Sequence, residues 1–315
     1  VALPKFRIER IKRVPREFDL FRKEIADQLA ALYGERAAQE YRNGDPQRWI
    51  DAFASPQVSV YAALRGGLVC ALLIGTVRPH VLQISYIHVL RSHEGEGIEG
   101  MLVLRAVNDL RLAQVAHVLI EPIPFSRLDM AAAAESLGFK RVSRQIMTAR
   151  TPLVPPTDET DVEIGLLDSP GISPAAECLC AAYHDHPGKM LHYEVNSSEE
   201  TRAFIWRVMS GHFGRFAPGL ALRCGPSKET NGILLAAESL PGLGFILQVA
   251  VTPASQGRGN GEALIREVAG CFQNQEIDQI GLGVTKNNPA RRLYERIGFR
   301  AIQDVDAFVW WKQWP

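Results

Sequence analysis

Between Val249 and Gly261 an apolar stretch, Val249-Ala250-Val251, passes through Thr252-Pro253-Ala254-Ser255 into Gln256-Gly257-Arg258-Gly259-Asn260-Gly261. Alternating glycines between a strand and a helix suit one kind of chemistry, the holding of a polyanion. Glycine lets the backbone approach the anion, and the free amides of a helix's first turn aim their positive ends at it. Arg258 adds a charge that does not titrate away. Each anion contact at a helix N-terminus is worth ~0.3 to 1 kcal/mol, so a solvated diphosphate needs several together. Two other phosphate motifs fail. A dinucleotide fingerprint needs its third glycine three residues after the second, whereas the glycines here fall at 257, 259 and 261. No Gly-Lys-Ser or Gly-Lys-Thr occurs, which removes a Walker-type site.

Downstream lies Asn287-Asn288-Pro289-Ala290-Arg291-Arg292-Leu293-Tyr294-Glu295-Arg296-Ile297-Gly298-Phe299. The two stretches, in this order, resemble the signatures of the GNAT superfamily of N-acyltransferases: the coenzyme A pyrophosphate motif, then an Asn, a short helix carrying a Tyr, and Gly-Phe. The resemblance implies acetyl-CoA or another acyl-CoA as cosubstrate. It also implies a pyrophosphate clamp from Gln256, Gly257, Arg258, Gly259, Asn260 and Gly261. The backbone of Val249, Ala250 and Val251, with Gln248, would pair with the pantetheine arm, and Asn287 or Asn288, with Ala290, would lie along it.

The chemistry gives its own reasons for these residue types. Transfer of an acyl group from a thioester to an amine expels a thiolate whose acid has a pKa near about 8.5, so a proton donor beside the sulfur helps. Tyr294, on a short helix after an expected strand 278–284, is the candidate; the alternative is packing against Phe299 or Leu293. An alkyl ammonium titrates near about 10.4 and must lose a proton before it attacks. Glu238, in an expected strand 232–240, is a candidate base, with a solvated strand-end carboxylate as the alternative. Glu194 and His192 belong to the segment Tyr183–Glu194, which also carries His184 and His186 and is expected to wall the acceptor pocket. A neutral imidazole there serves as a base near neutrality, or simply hydrogen-bonds at the surface. No metal site is expected.

The elements that must position these residues imply an α/β fold. At 315 residues the chain suggests two domains of about 150 residues each. The proline-rich, acidic run 151–161 reads as a linker between domains at 1–150 and 162–315. In the second, helices at 175–183 and 198–209 precede strands near Ala221, Ile233, Phe245 and Gln279. The run Ala263, Leu264, Val268, Phe272 has the spacing of one buried face of a helix starting at the glycines. The first half repeats the order: strand 82–89, then Glu94-Gly95-Glu96-Gly97-Ile98-Glu99, then Ala134-Glu135-Ser136-Leu137-Gly138-Phe139. Gly95 and Gly97 stand to Gly257 and Gly259 at one constant offset, and Ala134 stands to Tyr294 at nearly the same one. The resemblance therefore implies two tandem GNAT-like domains, each a mixed, mostly antiparallel sheet flanked by helices.

The substitutions within the first copy carry more information than its likeness. Glu94, Glu96 and Glu99 stand where the second copy has Gln256, Arg258 and Gly261, and Ala134 replaces Tyr294. At an effective dielectric of about 20, like charges ~4 Å apart repel by about 4 kcal/mol, more than a loop amide contributes. The first domain is thus expected to keep the fold without binding coenzyme A, and the second to carry the catalysis. A noncatalytic acyl-CoA-binding sensor is the alternative from another class.

Composition narrows the partners. Hydrophobic residues make up 46% and 35 basic residues balance 35 acidic ones, so the footprint of a nucleic-acid binder is missing. The expected partner is a small-molecule or peptide amine, with neither nucleic acid nor membrane. The five scattered cysteines read as small core residues of a reducing compartment. Residues 1–13 contain no continuous apolar core, so the cytoplasm is the expected location.

Overall fold

The computed structural model describes residues 6–78, 80–111, 115–121, 130–156, 161–186, 188–226 and 229–312. It divides into two compact units: unit 1 is Val1–Ser143 with Val305–Pro315, and unit 2 is Arg144–Asp304.

The chain begins with β1 (Arg7–Ile11), α1 (Phe18–Tyr33), α2 (Glu35–Asn43) and α3 (Pro46–Ala54). Asp45 starts α3 by accepting from the Gln47 amide at 2.9 Å, with Pro46 in the first turn where its missing N–H costs nothing. A meander follows: β2 (Val58–Arg65), β3 (Leu68–Arg78) and β4 (Val81–Val89). Gly66 and Gly67, at φ 60° and 83°, form the two-residue turn between β2 and β3 that demands positive φ. Then come α4 (Ile98–Arg111), β5 (His117–Ile120), α5 (Ala131–Ser136) and β6 (Lys140–Arg150). In unit 1, β1 to β4 pair antiparallel in sequence order, and β4 pairs β5 in parallel through Val81–Ile84. Tyr61, Leu73, Ile84, Leu102 and Ile120 are fully buried in its core.

The second set of elements is β7 (Ile164–Leu166), α6 (Ile172–Tyr183), α7 (Ser198–Met209), β8 (Ala221–Cys224), β9 (Gly232–Leu240), β10 (Leu243–Val251), α8 (Asn260–Gln273), β11 (Gln279–Thr285), α9 (Arg291–Arg296) and β12 (Arg300–Trp311). Ser197 caps α7 by accepting from the Glu200 amide at 3.2 Å. β7 to β10 are antiparallel neighbours, and β10 pairs β11 in parallel. Leu264, Ile265, Val268 and Phe272 form the buried face of α8. Gly244 lets that helix approach β10, since a Cβ there would sit 2.7 Å from the Phe272 ring. Each unit is therefore a mixed, mostly antiparallel sheet flanked by helices, the α/β architecture expected from the resemblance.

The units do not follow the chain in order. Arg144–Arg150 of β6 pair antiparallel with β11 in unit 2, and Phe308–Trp311 of β12 pair antiparallel with β5 in unit 1. Each unit thus takes its last strand from the other half of the sequence. The expected linker starts inside unit 2: the Thr151 amide donates to Asp278 O at 3.0 Å, the Val154 amide donates to Ile297 O at 3.2 Å, and Leu153 is buried. Residues 157–160 of that stretch lie outside the described residues. Among the described residues no helix is long and apolar enough to cross a membrane.

Candidate active site

The parallel pairing of β10 with β11 runs from Leu243↔Gln279 to Ile246↔Leu282 and stops, while β10 continues to pair with β9 as far as Val251↔Gly232. The strands part there, and the opening leads into a cavity of about 580 Å³ lined by unit 2 residues. Gln248, Val249, Ala250 and Val251 line it from β10, and Gln256, Gly257, Gly259, Asn260 and Gly261 from the turn.

The turn is built by its own hydrogen bonds. The Ser255 amide donates to Thr252 O at 2.9 Å, Gln256 Nε2 donates back to Val251 O at 3.1 Å, and Asn260 Nδ2 donates to Ser255 O at 2.9 Å. Gly257 and Gly259 have φ of 74° and 80°, where a side chain is strained, and Gly259 immediately precedes α8. No side chain caps that helix, so its first amides are left for an anion. Gly261 differs: a Cβ there would make ordinary contact with Val251 and Leu293 at 3.7 and 3.8 Å, so neither φ nor space requires glycine.

Charge at this end of the cavity comes from Glu262 and Arg296. Glu262 Oε1 accepts from Arg266 at 2.7 Å and its Oε2 accepts from Arg296 at 2.6 Å. Burial alone would raise the Glu262 pKa, but the two guanidiniums outweigh it and hold the carboxyl below its usual range. One anion thus balances two cations beside the turn. Arg258 is exposed and is not part of the lining.

The other end holds Tyr294, Tyr183, His186, His192 and Arg144. Tyr294 is buried on α9, its ring 6.0 Å from that of Phe299, which is the packing expected as its alternative reading, and it also lines the cavity. Burial pushes its hydroxyl up to about 12, which keeps the proton on through neutral pH. Tyr183 donates to Gln248 Oε1 at 2.8 Å, and its hydroxyl is raised chiefly by burial, then by Glu194. His192 Nδ1 lies 2.9 Å from Gln248 Nε2 and 3.1 Å from Glu194 Oε1. His186 accepts from the Gly188 amide at 3.0 Å, and burial followed by the neighbouring His192 lowers its pKa. Arg144 is buried in the lining, and burial lowers its pKa to about 10 against a smaller opposing effect of Tyr183.

Of the paired asparagines, Asn288 reaches the cavity. Its Oδ1 accepts from the Ala290 amide at 2.9 Å, turning the chain into α9, and its Nδ2 lies 3.4 Å from His186 Nε2. Asn287 is exposed and outside the lining. Glu238 is not brought to this site. Its carboxylate is ion-paired with Arg215 and accepts from the Gly242 amide at 2.8 Å, so the structure gives it the work of fastening a strand end. His184 is exposed beside Asp185. Tyr183 opens the segment expected to wall the acceptor pocket, whereas Arg144 and Arg296 were not foreseen. Arg144 in particular carries no motif and reaches unit 2 only through the exchanged strand. Among the described residues no group of three or more His, Cys, Asp or Glu is placed to hold a metal ion.

Unit 1 repeats the turn and changes its contents. Gly95 and Gly97 have φ of 77° and 72° ahead of α4. Glu96 accepts from His93 at 3.0 Å and Arg65 at 3.3 Å, and Glu99 is buried in the first turn of the helix. At the β4 positions equivalent to Gln248 and Ala250 stand Tyr86 and His88, both buried, with His88 2.9 Å from Glu24 of α1.

Comparison with known proteins agrees with this geometry. The FR47-like protein family matches residues 227–310. No curated protein matches the chain by sequence. Among solved structures, a GCN5-related N-acetyltransferase from Sphaerobacter thermophilus superposes with a TM-score of 0.69 at 20% identity, covering 98% of this chain and 97% of that one. A tandem GNAT protein from the clavulanic acid biosynthesis pathway gives a TM-score of 0.55 at 13% identity, covering 98% and 99%. A GCN5-related glucosamine N-acetyltransferase region of a fungal multi-domain GH3 beta-N-acetylglucosaminidase gives 0.61 at 11% identity, covering 98% of this chain and 38% of that one. With the parted strands, the glycine turn and its altered copy, these likenesses make the chain a tandem protein of the GCN5-related N-acetyltransferase fold.

Proposed function

We propose that unit 2 is an acyl-CoA-dependent N-acyltransferase that passes an acetyl group directly to a primary amine of a small molecule or peptide. The observation that carries this is one cavity joining an uncapped helix N-terminus at the glycine turn to a buried, protonated tyrosine.

The residues present suit the thioester cosubstrate. Amides opening α8, with Gln256, Gly257, Gly259 and Asn260, receive the diphosphate; Gly261 adds room, and Arg258 with Arg296 adds positive charge. The edge of β10 from Val249 to Val251, released where β11 departs, matches the need of an extended amide-bearing arm for strand-like partners. Asn288 and Ala290 flank that arm, with Asn287 at the rim. Tyr294 donates a proton to the departing sulfur. Glu238, held by Arg215, takes no part.

Unit 1 is the noncatalytic copy. Glu99 supplies a carboxylate of its own at the first turn of α4, and Tyr86 with His88 occupies the strand positions that stay small or slender in unit 2. The five cysteines, all unbridged, suit a reducing cytoplasm.

Incubation of the full-length protein with acetyl-CoA and a panel of primary amines tests the reading by thiol release. Turnover is expected with at least one amine. Acetyl-CoA binding without thiol release for any amine class would favour a sensor instead.

A further inference from the structure

We infer that His192 is the base that takes the proton from the acceptor nitrogen, fixed in its proton-accepting tautomer by Glu194; this builds on the acyl-transfer reading of the same cavity.

His192 and Tyr294 line one cavity, so a base and an acid face a common space. The His192 and Glu194 side chains keep only 18% and 16% of their exposure. Both hydrogen-bonding contacts of the ring, to Glu194 and to Gln248, go to Nδ1, and Nε2 has no hydrogen-bond partner among the described residues. One ring nitrogen cannot donate to a carboxylate and accept from an amide at once. A charge-assisted bond is roughly twice as strong as a neutral one, so the proton sits on Nδ1 and points to Glu194. This tautomer requires the Gln248 amide to turn over from the placement described above, so that its oxygen faces the ring and its nitrogen donates to Tyr183 Oη, a half-turn that keeps both contacts. With Nδ1 protonated the lone pair is on Nε2, the ring nitrogen without a hydrogen-bond partner among the described residues.

The transfer balances. The acceptor ammonium gives a proton to Nε2, its freed lone pair forms the N–C bond, and the C–S bond breaks with its electron pair on sulfur. The sulfur takes the Tyr294 proton, which the second proton leaving the nitrogen replaces, and His192 returns its own proton to solvent. One ammonium and one thioester give one amide, one thiol and one proton.

His192→Asn tests this, because its side-chain amide can still face Glu194 but offers no basic lone pair. Rates with a turned-over amine are measured from acid to alkaline pH at saturating acetyl-CoA, alongside calorimetric titration of acetyl-CoA. The groups around the ring that shape the profile are Glu194, His186 and Tyr183, with Arg144 and Tyr294 elsewhere in the lining. The expected result is a fall of about 100-fold or more in kcat/KM for the amine, loss of the acid limb, and unchanged acetyl-CoA affinity. Glu194→Gln, a positioning change, is expected to displace that limb with a smaller loss of rate. Exogenous imidazole is expected to restore part of the activity of His192→Ala. A His192→Asn enzyme with full rate and the same profile overturns the base assignment and leaves acyl transfer standing. A variant that loses acetyl-CoA affinity along with rate makes His192 structural and also overturns it. A wild-type protein that binds no acyl-CoA overturns both readings.

Discussion

The two glycine turns of this protein share their backbone and differ in everything that backbone carries. Gly95 and Gly97 take up the positive φ of Gly257 and Gly259, each turn follows a strand that pairs in parallel over four residues, and each opens a helix. Yet one first turn is uncapped beside a cavity, and the other holds a buried glutamate. A turn of this kind is a frame for an anion, not evidence of one; side chains on the strand and in the first helical turn decide whether anything enters.

The most damaging change should be the one that copies unit 1 into unit 2. Ala250 lines the cavity from β10, and its counterpart is His88. Ala250→His is expected to weaken acetyl-CoA binding by about 100-fold or more, measured by calorimetry, since a bulky ring in the space for an extended arm costs contacts and adds strain. Wild-type protein should bind one equivalent per chain. Two equivalents, or an Ala250→His variant of normal affinity and normal melting temperature, would break the contrast between the units.

Next in size is the chemistry itself. Tyr294→Phe removes the proposed acid and is expected to lower kcat by about 10- to 100-fold with little change in KM for acetyl-CoA. Because burial raises Tyr294 to about 12, an alkaline limb at lower pH must come from another group. Stability carries the same signature. A hydroxyl whose folded pKa lies above its unfolded value of about 10 stabilises fully below that value, and the contribution is lost as pH rises toward about 12. For Tyr294 the full difference amounts to about 2 to 3 kcal/mol, about half of it lost by pH 11, so the wild type should lose roughly 1 kcal/mol of urea resistance relative to Tyr294→Phe between pH 8 and pH 11. An unchanged difference between them would mean that the hydroxyl is not desolvated.

Much of the fold and part of the site were legible in the sequence, for reasons that particular residues make plain. The strand 232–240 and the helix 198–209 stand at the bounds expected of them. Tyr294 and the turn line one cavity because strand, glycine turn and helix follow one another at a spacing the sequence displays. The exchange of last strands was invisible, since nothing local in β6 or β12 states which neighbour each will choose. Arg144 was lost with it. Glu238 misled because a carboxylate on the right strand looks the same whether it faces substrate or Arg215. Arg258 and Arg296 show the same limit: one sits in the motif and is exposed, the other carries no motif and lines the cavity.

Smaller effects separate the glycines. Gly257→Ala and Gly259→Ala force a side chain into positive φ and should each cost roughly 1 to 2 kcal/mol of stability, and with it affinity. Gly261→Ala, with room for its Cβ, should melt within a degree or two of wild type. A large loss of acetyl-CoA affinity in that variant without a change in melting would mean that close approach of the cofactor, rather than the fold, demands the third glycine.

The smallest expected effect is the most discriminating. Replacing Glu94 by Gln, Glu96 by Arg and Glu99 by Gly gives unit 1 the charge pattern of the unit 2 turn while leaving Tyr86 and His88 in place. If charge alone excluded the diphosphate, relief of a repulsion of about 4 kcal/mol should create a second site. The strand argues otherwise: His88 is buried against Glu24, and Tyr86 is buried beside it. The triple variant is therefore expected to bind acetyl-CoA with unchanged stoichiometry. A second equivalent appearing in the titration would show that unit 1 lost its ligand to electrostatics, with the filling of its strand a later and dispensable change.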